Sequence, residues 1–246
     1  MKLAEPDNVR FTIVSYLPVP GSIGEMKTKP TQYAVRTLNS AGIQPDFIIG
    51  RSTHPLDDPR KEKLAIHCAV PPANTISAPD AKSVYHVPLT FEDQDFANSI
   101  LKSYGLKAKD QDLKEWREFV SRIDKVEKPV KIGVIGKYFS TGAFVLSDAY
   151  ISVLESIKHA AWSFDRKPEI EWLNSEEYEK DPSKLEELRE LDGIVIPGGF
   201  GTRGIEGKIL AVEYARKNKI PYLGLCYGMQ CAVIEYARHE LGWDDD

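Results

Sequence analysis

Apolar positions recur along this chain in two alternating rhythms: short runs of β-branched and aromatic residues, and longer stretches whose apolar residues fall three or four apart. "VRFTIVSYL", from Val9, reads as a strand ending in the loop "PVPGSIGEMKTKP". A helix is expected from Thr31 to about Ser40, with Gly42 as its stop. "DFIIG" at 46–50 is a short buried strand, and residues 59–69 are helical until Pro71 and Pro72. A strand is expected near Thr75–Ser77, "VYHVPL" at 84–89 as extended or loop, and "QDFANSILKSYG" as a helix closed by Gly105. Within 106–129, Leu113, Trp116, Val120 and Ile123 share one face of a charged helix that Lys128–Pro129 break.

The second half alternates more regularly. "VKIGVIG" is a strand, and "SDAYISVLESIKHAAW" a helix capped by Ser147 or Asp148. The strand "EIEWLN", the helix "DPSKLEELREL" and the strand "GIVIPGG" follow. Then come the helix "GIEGKILAVEYARKN", the strand "IPYLGL" and the helix "YGMQCAVIEYARHEL". Strand–helix alternation at these lengths predicts right-handed βαβ units, so the fold class is α/β with parallel sheets. Residues 1–109 form one domain and 110–128 a linker helix, with the boundary near 125–129; residues 129–246 form a second domain.

Charge and cysteine content narrow the partners. Lys and Arg number 32 against 37 Asp and Glu, a net charge of −5, so no general attraction to nucleic acid or anionic membrane is expected. Any anion site must be local. Three cysteines give no disulfide framework and suit a reducing compartment. With no signal-type apolar run in "MKLAEPDNVR" and no apolar stretch of spanning length, a cytoplasmic protein is expected.

Candidate chemistry concentrates at "YLGLCYGMQC". A strand that runs into a helix through Gly224-Leu-Cys226-Tyr-Gly228 is the pattern of a nucleophile elbow, whose sharp turn needs glycine on both sides. Cys226 would stand at the helix N-terminus, where the helix dipole favours thiolate, and the Tyr227 N–H would face a developing oxyanion. A second donor is available from Gly199, in the paired glycines of "IVIPGGFG", again at the carboxyl edge of the sheet. Taken alone, G-x-C-x-G fits a buried core cysteine equally well; the PGG loop one βα unit upstream favours the nucleophile. Cys231 and Cys68 read as packing.

In the first half, "GEMKTKPTQ" puts Lys27, Thr28, Lys29 and Thr31 at the start of a helix, with Pro30 near its first position. Cations, hydroxyls and free N–H groups there suit a polyphosphate, although a lysine pair by itself reads first as a solvated basic loop.

Both segments resemble one family. "PGGFGTRGIEGKILAVEYARKNKIPYLGLCYGMQ" is similar to the glutamine amidotransferase domain of CTP synthases, as are "GKY" at 136–138 and "SDAYISVLESIKHA" at 147–160. Between these two, "FSTGAFVL" is longer than the family's usual connection. "GEMKTKPTQYAVRTLNSAGIQPDFIIGRS" resembles the family's synthetase domain. The resemblance implies a partial P-loop-type synthetase domain followed by a partial flavodoxin-like class-I amidotransferase domain. It implies Cys226 as the nucleophile that forms a γ-glutamyl thioester and releases ammonia. Gly199 and Tyr227 correspond to the oxyanion side, and Tyr227, Gly228, Met229 and Gln230 to the glutamine pocket. Lys27, Thr28, Lys29, Pro30, Thr31, Gln32 and Lys63 match positions that contact UTP or CTP, and Pro79, Asp80 and Ala81 match a segment near ATP. The implied reaction is ATP- and Mg²⁺-dependent amination of UTP to CTP, with GTP as an allosteric activator, in a homotetramer.

Two expected parts have no counterpart in this sequence. The family's His-x-Glu pair lies downstream of the cysteine; among His54, His67, His86, His159 and His239, none suits as its base. His239 follows Cys226 by 13 residues on one helix, about 20 Å along the axis. The family's P-loop and Mg²⁺ carboxylates lie upstream of the segment matched by Val9, and "GTRGIEGKI" lacks the P-loop spacing and hydroxyl. No metal site is therefore expected in this chain. The expectation is an internal portion of a CTP synthase, incomplete for catalysis by itself. The alternatives are a pyrimidine-nucleotide-binding module, a subunit of a split enzyme, or a free-standing glutaminase with an unusual base.

Overall fold

The computed structural model describes all residues except 1, 3, 22–23, 110–111, 137–139, 142–143, 146–149, 200 and 244–246. Two compact units emerge, Met1–Val120 and Ser121–Asp246.

The first unit is built on a parallel sheet of three strands in the order β1 (Thr12–Tyr16), β2 (Phe47–Ser52), β3 (Thr75–Pro79). Helix α1 (Lys29–Ser40) joins β1 to β2, with Pro30 in its first turn, where a missing N–H costs nothing. Helix α2 (Asp58–Cys68) joins β2 to β3; the Asp57 carboxylate caps it, accepting from the Arg60 N–H at 3.0 Å. The apolar residues of β2 are buried on both faces. Ile48 packs with Leu17, Val35 and Leu64 on one side, while Phe47 and Ile49 pack with Ile76 and Phe96 on the other.

Residues 84–89 are not extended. A 3₁₀ turn, Val84–His86, leads into helix α3 (Val87–Glu92), because Pro88 falls in the first turn, where it starts a helix instead of breaking one. Helices α4 (Phe96–Ser103) and α5 (Lys114–Lys125) follow. The first turns of α5 are anchored within this unit: the Trp116 indole N–H donates to the Tyr85 carbonyl at 2.8 Å, and Arg117 pairs with Glu92 and Asp93.

The second unit is a parallel sheet in the order β7-β4-β8-β9: β4 is Pro129–Gly136, β7 Lys167–Asn174, β8 Gly193–Ile196 and β9 Tyr222–Gly224. Numbered within the sheet this is 2-1-3-4, the flavodoxin-like order, in which ligands bind outside the carboxyl ends of the strands. A small antiparallel pair, β5 (Ser140–Thr141) and β6 (Phe144–Val145), lies between β4 and helix α6 (Ile151–Ser163). The expected caps Ser147 and Asp148, with Lys137 and Tyr138 of the matched "GKY", lie outside the described residues. Leu154 of α6 packs on Val134, with Ile170 and Trp172 against them. A larger core joins Ile135, Leu173, Ile194 and Ile196 of the sheet to helices α7 (Ser175–Lys180), α8 (Ile205–Asn218) and α9 (Tyr227–His239).

Helix α7 has no counterpart in the expected elements; the Asn174 side chain caps it by accepting from the Glu176 N–H. The stretch expected to be an α-helix at "DPSKLEELREL" is 3₁₀ over Pro182–Glu190. Leu185 and Leu188 are spaced by three and both buried, a spacing that eclipses at three residues per turn, and Leu191, just past the end, is buried too.

Candidate active site and anion pocket

In the second unit, Leu225 extends the β9 ladder by donating its N–H to the Ile196 carbonyl at 2.9 Å, and the chain then turns sharply into α9. Cys226 stands at the turn with φ 52° and ψ −104°, a conformation that costs an L-residue about 1–3 kcal/mol and persists only where the surroundings enforce it. The enforcement is visible. A Cβ on Gly228 would lie 2.1 Å from the Ile196 carbonyl oxygen, and one on Gly224 would lie 2.5 Å from the backbone of Gly228 and Met229. Only glycine at both positions lets α9 begin this close to the sheet. The Tyr222 hydroxyl, its phenol raised by burial, donates to the Gly228 carbonyl at 2.6 Å and fastens the first turn.

Cys226 is exposed, whereas Cys68 and Cys231 are buried and burial raises their thiols above the ordinary value. Gly198, at the end of β8, faces the elbow: a Cβ there would lie 3.4 Å from Cys226 Cβ and 3.7 Å from Sγ. The PGG loop and the cysteine are therefore side by side, with Gly199 next in the chain. As the first residue of α9, Tyr227 has an N–H with no acceptor inside the helix. Gly228 is buried beneath the turn, while Met229 and Gln230 are exposed. Sequence reasoning missed Lys208, a buried lysine of α8 whose Nζ lies 5.5 Å from the centre of the Tyr227 ring. His239 is held at the other end of α9, where Nδ1 lies 3.3 Å from Glu235. Glu213, Glu235 and His239 bring ligand atoms within 4.8 Å of one another, but Arg216 takes both Glu235 oxygens and Lys217 pairs with Glu213.

In the first unit, a cavity of about 560 Å³ opens where α1 and α2 begin. Lys27, Thr28 and Lys29 line it from one side and Pro59, Arg60 and Lys63 from the other, with Glu25 and Met26 beside them. Four cations and two helix N-termini at one cavity could hold an anion. Arg60, absent from the expected set, is fixed there by its Nε donating to the Met26 carbonyl at 3.2 Å. Its sequence signal, a basic residue one turn before Lys63, has meaning only once α2 is placed beside α1. Pro30, Thr31 and Gln32 do not line the cavity. Thr31 is fully buried with its hydroxyl 2.8 Å from that of Ser15, and Gln32 Nε2 donates to Thr28 Oγ1 at 3.0 Å, so both brace the loop. Pro79, Asp80 and Ala81 lie at and beyond the end of β3, where Asp80 pairs with Arg51 at 2.9 Å.

A doubly wound α/β unit with a strained cysteine elbow beside a PGG loop belongs to the class of glutamine amidotransferases. Residues 145–241 match the model of the class-I glutamine amidotransferase family, and residues 1–106 that of the CTP synthase N-terminus. Among similar proteins, the CTP synthase of Carboxydothermus hydrogenoformans is 46% identical over 239 residues, covering 97% of this chain and 44% of the relative. That of Methanocaldococcus jannaschii is 46% identical over 241 residues (96% and 44%). That of Caldanaerobacter subterraneus subsp. tengcongensis is 48% identical over 236 residues (96% and 43%). A solved Trypanosoma brucei CTPS glutaminase domain with bound acivicin is 40% identical and covers 46% of this chain and 42% of its own, with a TM-score of 0.42, too loose a superposition to bear on the fold. The chain belongs to the CTP synthase family. It spans under half the length of the relatives it matches. No described helix is long and apolar enough to cross a membrane.

Proposed function

We propose that this chain supplies the glutamine-activating cysteine and the pyrimidine-nucleotide anchor of a glutamine-hydrolysing CTP synthase. The observation that carries the reading is Cys226: an exposed thiol, held in a strained turn at a helix N-terminus, directly beside the PGG loop. The Cys226 sulfur attacks the side-chain amide carbon of glutamine. The oxyanion then forms against the Tyr227 N–H and the amides of the Gly198–Gly199 turn. Collapse releases ammonia and leaves a γ-glutamyl thioester, which water hydrolyses. The base that serves this cysteine is not assigned to a described residue, since His239 sits about 20 Å along α9 and is engaged by Glu235.

On the nucleotide side, Lys27, Lys29, Arg60 and Lys63 anchor the triphosphate of UTP or CTP at the mouths of α1 and α2. In the whole enzyme, ATP phosphorylates the 4-oxygen of UTP and ammonia displaces the phosphate at C4. No Mg²⁺ ligand set is assigned to the described residues beside these sites. Glu25, the one carboxylate lining the cavity, pairs with Lys27, and Asp80 pairs with Arg51. This chain's own part is thus nucleotide anchoring and glutamine activation. GTP activation and a tetrameric assembly belong to the reading of the whole enzyme.

The test is labelling with a chloroketone analogue of glutamine. One equivalent is expected on Cys226, lost in Cys226→Ser and kept in Cys231→Ser. Equal labelling of Cys226 and Cys231 would remove the elbow from the reading. Because the anion pocket lies wholly within the first unit, UTP binding alone is the second reading. It requires measurable UTP affinity that collapses in the Lys27→Ala, Lys29→Ala double variant.

A further inference from the structure

The anion pocket already contains an anion. Glu25 Oε2 lies 2.6 Å from Lys27 Nζ, and Oε1 lies 3.8 Å from the Arg60 guanidinium. Lys27 and Arg60 both line the cavity, from the loop before α1 and from α2, so the two oxygens of one carboxylate bridge them as two oxygens of a phosphate would. We propose that Glu25 is a built-in placeholder: it occupies the phosphate position of the empty pocket and is displaced by the polyphosphate of an incoming nucleotide. This inference rests on the nucleotide-anchor reading and adds to it an intramolecular competitor that sets affinity.

The arrangement around Glu25 is fixed except for its own side chain. The Lys27 N–H donates to the Pro18 carbonyl at 2.9 Å and Arg60 Nε donates to the Met26 carbonyl at 3.2 Å, which hold the loop in place. Arg60 is further held by Asp57 across the first turn of α2. The Glu25 side chain is 55% exposed and can swing into solvent without disturbing either backbone contact. Lys27 holds its carboxyl below the ordinary value, with Arg60 and Lys63 adding to the effect, so the placeholder is fully charged at neutral pH. Displacement is favoured for ligands with more negative charge than one carboxylate. A triphosphate can replace Glu25 on Lys27 and Arg60 and still reach Lys29 and Lys63; an uncharged nucleoside can do neither.

The experiment is calorimetric titration of the 246-residue chain with UTP, and with inorganic tripolyphosphate to isolate the phosphate contribution. Glu25→Gln should tighten both about three- to tenfold, the range expected for releasing two solvent-exposed ion pairs. In a Lys27→Ala background, where the main partner of Glu25 is gone, the same substitution should change affinity less than about twofold. If Glu25→Gln leaves UTP affinity unchanged or weakens it while the parent chain binds, the placeholder is wrong and the nucleotide site stands. An equal gain with and without Lys27 also overturns it, because simple charge repulsion then suffices. If neither the parent chain nor Glu25→Gln binds UTP, the nucleotide-anchor reading fails and takes the placeholder with it.

Discussion

Gly228→Ala tests whether the elbow exists at the tightness described. The added Cβ would sit 2.1 Å from the Ile196 carbonyl oxygen and 2.9 Å from the carbonyl carbon, both backbone atoms of β8. Relief requires α9 to retreat from the sheet by about 1 Å, since ordinary contact begins near 3.2 Å. That movement stretches two hydrogen bonds, Leu225 N–H to Ile196 at 2.9 Å and Tyr222 hydroxyl to Gly228 at 2.6 Å, each worth about 1 kcal/mol net. Overpacking adds about 1–3 kcal/mol, so the expected loss is about 3–5 kcal/mol. With a urea dependence of about 1.5 kcal/mol/M for a unit of this size, the midpoint falls by about 2–3 M. Hydrogen exchange of β8 and α9 amides through the urea titration reads the second unit by itself. Gly21→Ala, where an added Cβ meets nothing within 4 Å, is the control and should stay within about 0.5 kcal/mol. A Gly228→Ala loss below about 1 kcal/mol would refute the close approach of α9 to β8, and with it the strain assigned to Cys226.

Three further outcomes are expected. Cys226→Gly should abolish chloroketone labelling yet raise stability by about 1 kcal/mol, because glycine accepts φ 52° freely; destabilisation would show that the turn is unstrained. Arg60→Ala should weaken UTP binding about tenfold while Asp80→Ala leaves it unchanged, and the reverse pattern in a titration would relocate the site to the end of β3. Burial would push the Glu235 carboxyl up, but the Arg216 fork and His239 bring it below the ordinary 4.5. Its contribution is therefore present above pH 4.5 and lost as pH falls through the depressed folded value. Glu235→Gln should cost about 2 kcal/mol at pH 7 and progressively less as the pH is lowered below 4.5, and a cost in urea unfolding that does not shrink on acidification would refute the assignment.

Much of this molecule was legible in the residues alone. Alternating apolar runs and amphipathic stretches specify parallel α/β units, because period and length are local properties. The glycines around Cys226 were legible too: a strand can turn into a helix that abruptly only without side chains at Gly224 and Gly228, and the structure places backbone where those side chains would be. The loop from Lys27 announced an anion site only through its charge and the helix start after it.

Tertiary structure decided the rest. Arg60 and Lys63 belong with Lys27 because α2 begins beside α1, a juxtaposition of segments some 30 residues apart that no local pattern encodes. That Thr31 bonds Ser15 and Gln32 bonds Thr28 is likewise set by packing and not by the motif. The leucines at 185 and 188 are compatible with either helix type until both are buried in the core. Lys208 meets Tyr227 because α8 packs beside α9, and Gly198 meets Cys226 because β8 and β9 are neighbouring strands of the sheet. Sequence determines which groups a segment can present. Which of them meet is set by the register and order of the strands, and that is settled only when the apolar faces of distant segments are buried together.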